Sequence, residues 1–221
     1  SETDNTSSID DFAGVFDASL GYKLLKTDLS EVEVAYDFYQ SLYDDLPDFD
    51  IQAHIFSLSG SHEINDIDFG LNYSYNYTFL GADRFYDSHS VIPTLGFMPT
   101  SGWYVSLAYN FQNKNFFNDQ ERDSNLHAFS YDNYVFFNDN NSFVTMGYRI
   151  EHEDTAGSQF QYLGHYYTAG LNTKFAAHFL KPEAELYYKY YLKDYDGITD
   201  SILEEREDER QSVYLGLTLH F

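Results

Sequence analysis

Between Ile67 and Phe79 every second residue is apolar: Ile67, Phe69, Leu71, Tyr73, Tyr75, Tyr77 and Phe79. The residues between them, Asp68, Gly70, Asn72, Ser74, Asn76 and Thr78, are all small or polar. A period of two means a strand with unlike faces, because successive side chains point to opposite sides. So long an apolar row fits a sandwich core, yet the opposite face lacks the long charged side chains of a solvated surface. A small, polar face suits the crowded, wet inside of a barrel better.

The pattern recurs along the chain. Trp103, Val105, Leu107, Tyr109 and Phe111 repeat it, as do Ala184, Leu186, Tyr188, Tyr190 and Leu192. The final segment repeats it through Val213, Leu215, Leu217, Leu219 and Phe221. Strands are expected at about 12–25, 31–43, 50–62, 67–80, 89–97, 103–117, 125–137, 143–152, 162–175, 184–193 and 212–221. Many reach the roughly 9–11 residues that a tilted membrane strand needs, long for a soluble one. The strands at 50–62 and 125–137 have mixed faces, for which bulges or a protein-covered exterior are expected. Glycines on the polar face (Gly21, Gly70, Gly147, Gly216) fit close packing or bending. The expected fold class is therefore all-β, an antiparallel transmembrane β-barrel formed by one domain spanning 1–221. Its outward belt should hold Phe69, Leu71, Tyr73, Leu107, Tyr109, Leu186, Tyr188, Leu215 and Leu217.

Composition narrows the field further. Aromatics make up 19% of the 221 residues, with Tyr 22 and Phe 20 against Trp 1, which suits pleated surfaces and membrane interfaces. No segment approaches the apolar run of about 18 residues that a spanning helix needs. Cysteine is absent, which removes disulfides and thiol chemistry. The formal charge of −24 argues against nucleic acid, whose backbone needs a basic face. No basic leader with an apolar core opens the chain, so it reads as a mature or trimmed product.

The connections fall into two alternating kinds. Residues 26–30, 63–66, 98–102, 138–141 and 176–181 are short and rich in turn formers. Residues 44–49, 81–88, 118–124, 153–161 and 194–211 are mostly longer and acidic. Short periplasmic turns on one rim and longer loops on the other give this asymmetry in outer-membrane barrels. A terminal Phe221 then falls on the short-turn rim, where a lipid-facing aromatic belongs to the interfacial girdle. Ser1–Asp11 reads as a further outer loop. Such barrels have even strand numbers with both termini inside. About 12 strands are therefore expected, about 11 of them here, with one supplied upstream of Ser1 or by a partner chain.

Residues 34–50 (Val34-Ala-Tyr-Asp-Phe-Tyr-Gln-Ser-Leu-Tyr-Asp-Asp-Leu-Pro-Asp-Phe-Asp50) and 136–149 (Phe136-Phe-Asn-Asp-Asn-Asn-Ser-Phe-Val-Thr-Met-Gly-Tyr-Arg149) resemble C-terminal barrel domains that follow periplasmic tetratricopeptide-repeat regions. Barrels of the surface-lipoprotein assembly modifier and exopolysaccharide exporter kinds are similar in layout. The resemblance is one of pattern and spans most of the chain. It implies a bacterial outer-membrane location and a periplasmic or upstream repeat region as partner, beside the lipid itself. The terminal Phe likewise resembles the signal read by barrel-assembly machinery.

No enzyme chemistry is legible, and neither a catalytic set, a metal site nor a cofactor is expected. The eight His residues form no His-x-x-x-His array. Asp87-Ser88-His89-Ser90 holds triad residue types, but neighbours on a strand cannot face one another and no Gly-x-Ser-x-Gly elbow exists. The acidic segments 44–50 and 204–209 lack EF-hand spacing and read as solvated charge.

The candidate functional residues are those expected to face the lumen. Glu31, Glu33 and Asp37 share one strand face; Asp68 lies on the polar face of the cleanest strand; Arg149 and Glu151 share another; Glu185 and Lys189, with Lys193, a fourth. Mixed charge in a barrel of this size fits a salt-bridged, plugged lumen, while a conducting lumen would favour cations by its acid excess. Two functions stay open: the membrane part of a transport, export or assembly system, and a plugged barrel serving as anchor, receptor or scaffold. A soluble β-sandwich is the third reading.

Overall fold

The computed structural model describes residues 12–175, 181–195 and 207–220. It is all-β: one antiparallel sheet of 11 strands in chain order, each paired with its sequence neighbours. The strands are β1 (Ala13–Lys26), β2 (Ser30–Tyr43), β3 (Ile51–Ile64), β4 (Ile67–Leu80) and β5 (Asp83–Thr100). They continue as β6 (Trp103–Phe116), β7 (Ser124–Phe137), β8 (Ser142–Thr155), β9 (Tyr162–Lys174), β10 (Lys181–Tyr195) and β11 (Glu207–His220). The only helical pieces among the described residues are three single 3₁₀ turns. Among those residues no helix is long and apolar enough to cross a membrane, a statement that concerns helices alone.

Register puts like with like. Ser57 lies opposite Ser74, and Asn72 opposite Ser59, while Phe56 meets Tyr75 and Leu71 meets Pro93. Opposite residues in an antiparallel pair share a face. Every strand therefore contributes one row to a polar face and one to an aromatic face. Glycines show which face is concave. A Cβ on the polar-face glycines Gly70, Gly96, Gly147 or Gly170 would lie 2.0–2.4 Å from a side chain of a neighbouring strand. On the aromatic-face glycines Gly14 and Gly60 it would meet nothing within 4 Å. Side chains converge on the polar face and splay on the aromatic one, as curvature toward the polar side requires.

Apolar burial is correspondingly sparse. Among the described residues the buried hydrophobic ones are Ala53, Val105, Leu126, Ala128 and Tyr162, while Leu71, Met146, Leu215 and Leu217 are more than half exposed. Of the belt residues expected to face outward, all are exposed except Leu107, which is half-buried.

Turn chemistry sets the two ends apart. At one end, which we term the turn end, Asn65 and Asp66 (φ 51° and 63°) close β3–β4, and Gly102 (φ 86°) serves β5–β6. Left-handed backbone at such positions matches the twist of the flanking strands. At the opposite, loop end, 44–50 and 117–123 each fold over a 3₁₀ turn. Asp50 and Asp123 close these loops by accepting the backbone N–H of Tyr43 (2.7 Å) and Phe116 (2.6 Å). Part of the loop acidity is thus structural.

Three expectations are corrected. Residues 81–88 are not an acidic loop: Gly81 at φ 60° turns the chain within two residues, and β5 runs for 18 residues from Asp83. Likewise β11 begins at Glu207, taking residues 207–211 out of the last loop. Nor do β3 and β7 carry the expected bulges. They keep unbroken register with both neighbours, and the irregularities fall at Lys23/Leu25, Thr78/Phe79 and Phe97/Thr100. Their faces look mixed because Leu126 and Ala128 fill the polar side of β7, while His54 and His127 stand on the aromatic side. The expectations for Ser1–Asp11 and the Phe221 side chain lie outside the described residues.

β1 and β11 are the outer strands of the sheet, and among the described residues neither pairs with the other. Both run from the loop end to the turn end, so they cannot form an antiparallel pair. Every residue of β1 is exposed.

Candidate functional site on the polar face

All eight candidate residues lie on the polar face, as register with their neighbours shows. The structure divides them into four places. On β2, Glu31 accepts from the Lys23 ammonium at 2.7 Å, Asp37 accepts from the Ser19 hydroxyl, and Glu33 leans over Gly21. Near the turn end Asp68 joins Glu63, Asp66 and Tyr104 around a cavity of about 420 Å³. On the wall formed by β7–β10, Arg149, Glu151 and Lys189 line a cavity of about 500 Å³ with Asp132, Tyr166 and Thr168. Glu185 stands apart from them, accepting from the Asn172 amide at 3.2 Å.

Glu151 is the organising group of that wall. It is 4% exposed, and Arg149 grips its carboxylate through Nε at 3.0 Å and Nη2 at 2.7 Å. Tyr162 donates to it at 2.8 Å, Tyr166 donates a second hydroxyl, and the Lys193 ammonium lies 3.8 Å away. The reason is local. Glu151 lies directly opposite Gly164 on β9, and a Cβ there would press within 2.9 Å of the Glu151 side chain. The missing side chain seats the carboxylate between the flanking tyrosines of Tyr162-Leu-Gly-His-Tyr166. Lys193 also sits 3.6 Å over the Tyr162 ring. Two residues along, Glu153 accepts from Lys114 at 2.8 Å and from Ser124 at 2.7 Å. Strands β6 to β10 are thereby laced together near the loop end. A carboxylate with so many partners ties its strands together.

Sequence reasoning placed Glu151 and Arg149 on the right face but missed Tyr162, Tyr166, Glu153 and Lys114. Parity along β6, β8 and β9 places those residues on the polar face; which of them meet requires the register. Among the described residues no group of three or more His, Asp or Glu side chains could hold a metal ion.

The aromatic face carries an order of its own. Tyr36 pairs with Nδ1 of His54 (2.8 Å), Tyr73 with His89 (2.8 Å), Tyr109 with His127 (2.6 Å) and Tyr148 with His165 (2.8 Å). Each tyrosine is on the first strand of a hairpin and each histidine on the second, two residues before the tyrosine's opposite number. In β10–β11 Tyr188 meets Gln211 at 3.4 Å in the same relation. The tyrosines recur every 36 to 40 residues, so the sheet repeats a hairpin unit. The His residues that look scattered in the sequence are therefore ordered in space.

No protein-family model matches the chain, and no curated protein matches it.

Proposed function

We propose that this chain is a bacterial outer-membrane β-barrel, the membrane part of a transport, export or assembly system. The observation that carries the reading is the inversion of polarity: apolar and aromatic side chains stand exposed on the convex face, while ion pairs and hydroxyls fill the concave one. A soluble protein buries the larger set, and a contiguous apolar surface of this extent marks a membrane or partner. On this reading the polar face lines the lumen, lipid is the first partner, and the turn end is periplasmic.

The unpaired edges of β1 and β11 then need a strand between them, because unsatisfied backbone groups in lipid cost several kcal/mol each. The hairpin repeat supports the same count. β1 stands where each unit has its second strand, Phe16 occupying the place of His54, so the first strand of that unit is the one to add. Residues preceding Ser1 or a partner chain would supply it, and the resemblance to barrels that follow repeat regions fits the first of these sources.

We take that polar face to line a conducting lumen. Its acids at the turn end (Glu31, Glu33, Glu63, Asp68, Glu185) favour cations electrostatically. Planar-bilayer recording of the protein completed by its twelfth strand should show stepwise, cation-preferring conductance. Inserted but electrically silent protein would establish the second reading, a blocked barrel used as an anchor or scaffold. The lacing of Lys114, Arg149 and Lys193 onto two buried glutamates is the observation in favour of that alternative.

A further inference from the structure

The tyrosine–histidine pairs lie in a line, and the line has a direction. Stepping across the ladder from His54 through Tyr77 leads to Asp87, two residues short of His89. From His89 through Asn113 the step reaches Asn125, two short of His127. From His127 through His152 it reaches Leu163, two short of His165, and from His165 through Leu192 it reaches Glu209, two short of Gln211. The turn-end rim climbs in the same sense. Ile64 leads through Ile67 to Phe97, three short of the end of β5, and Thr100 leads through Trp103 to Val135, two short of the end of β7.

A stagger of one residue per strand, at about 3.3 Å rise and 4.8 Å spacing, corresponds to strands tilted by roughly 35°, the tilt of closed barrels. Row and rim are therefore parallel, and the row is level in a barrel standing upright in a membrane. It runs nearer the loop end: His54, His127 and His165 are each the fourth residue of their strand from that end.

The chemistry at this level is uniform. With the tyrosine hydroxyl donating to Nδ1, the ring proton of the neutral imidazole sits on Nε2. At His54 the Gln52 amide lies 2.8 Å from Nε2. At His89, His127 and His165 no described residue hydrogen-bonds Nε2, and His89 and His127 are exposed. A row of outward N–H donors has no acceptor among hydrocarbon chains, where an unmade hydrogen bond is expensive. Its level is where the acceptors of the lipid begin.

We propose that the row is a lipid-headgroup site, in which His89, His127 and His165, each oriented by its tyrosine, donate Nε2–H to phosphate oxygens of outer-leaflet lipids. The inference rests on the membrane reading above and adds to it a specific contact and a depth. The hydroxyl fixes the ring plane and, where it donates to Nδ1, leaves the proton on Nε2, so each pair is an oriented donor and not a freely rotating side chain.

The test is phosphorus–nitrogen dipolar dephasing in solid-state NMR of the whole protein, ¹⁵N-labelled at histidine, in phospholipid vesicles. Resistance to protease and a heat-modifiable gel mobility first report insertion; failure to insert would defeat the membrane reading and this inference with it. In inserted protein the Nε2 signals should be dephased by lipid phosphorus, and the dephasing should be lost in the His89→Phe/His127→Phe/His165→Phe variant. Absence of dephasing in inserted wild type would overturn the headgroup site while leaving the membrane reading intact. Dephasing that appears in phosphate-free glycolipid vesicles on adding inorganic phosphate would also overturn it, showing a site for the free anion. Tyr73→Phe/Tyr109→Phe/Tyr148→Phe, which keeps the imidazoles, should weaken the dephasing without abolishing it.

Discussion

The two faces of this sheet are built from the same strands and obey opposite rules. On the polar face, side chains are specified by their neighbours. Glu151 has four partners from three strands, and glycines appear where a Cβ would strike an adjacent side chain. On the aromatic face, apart from the tyrosine–histidine pairs, large side chains stand exposed with few neighbours to meet. Leu71, Met146 and Leu215 have ample free surface, and Gly60 has open space around it. The contrast teaches that hydrophobic burial within the chain is not what organises the fold. Backbone pairing, polar lacing on one side and the surrounding solvent on the other do so.

Substitutions sharpen that contrast, and the largest effect is expected on the polar face. Glu151→Leu strands the largely buried Lys193 ammonium and two tyrosine hydroxyls, and removing one partner of a buried ion pair costs about 3–5 kcal/mol. Urea unfolding from vesicles measures it, and a loss below 1 kcal/mol would show the network to be ornamental. Next, Leu71→Arg or Leu215→Arg on the aromatic face should cost about 2–4 kcal/mol near the bilayer centre, where Arg meets hydrocarbon. The same substitutions should be close to neutral if that face were wet.

Glycine replacements compare the faces directly. Gly170→Ala drives a methyl toward the Tyr187 ring, which stands 2.4 Å from the new carbon, and overpacking of this kind costs about 1–3 kcal/mol. Gly60→Ala has nothing within 4 Å and should be neutral or slightly stabilising. Equal effects in the same unfolding assay would refute the assigned curvature. The smallest expected loss is that of Tyr148→Phe, about 0.5–1.5 kcal/mol for one hydrogen bond to His165.

Much of the architecture was legible because a period of two is a local signal. Ile67–Leu80 and Trp103–Phe116 match the alternation read from the sequence almost to the residue. The first third of β5 was not, because Asp83, Arg84 and Asp87 look like loop residues until Gly81 is known to turn the chain tightly. The parity of Glu151, Arg149 and Lys189 was legible too. Their partners were not, since Tyr162 and Tyr166 reach Glu151 only through the register of β8 with β9. For the same reason the Tyr–His row is invisible in sequence: its members stand 16 to 18 residues apart and meet across a hairpin.

The chain carries its own probe of the central claim. Trp103 is the single tryptophan, it stands on the aromatic face at 37% exposure, and its Nε1 donates to Asn133 at 3.1 Å. The direct measurement is its fluorescence in vesicles whose lipids carry bromine on the acyl chains. A membrane barrel predicts blue-shifted emission strongly quenched by bromine close to the interface and less so by bromine at the bilayer midplane. Emission indifferent to brominated lipid, from folded protein that needs no detergent, would contradict the account and return the sheet to water.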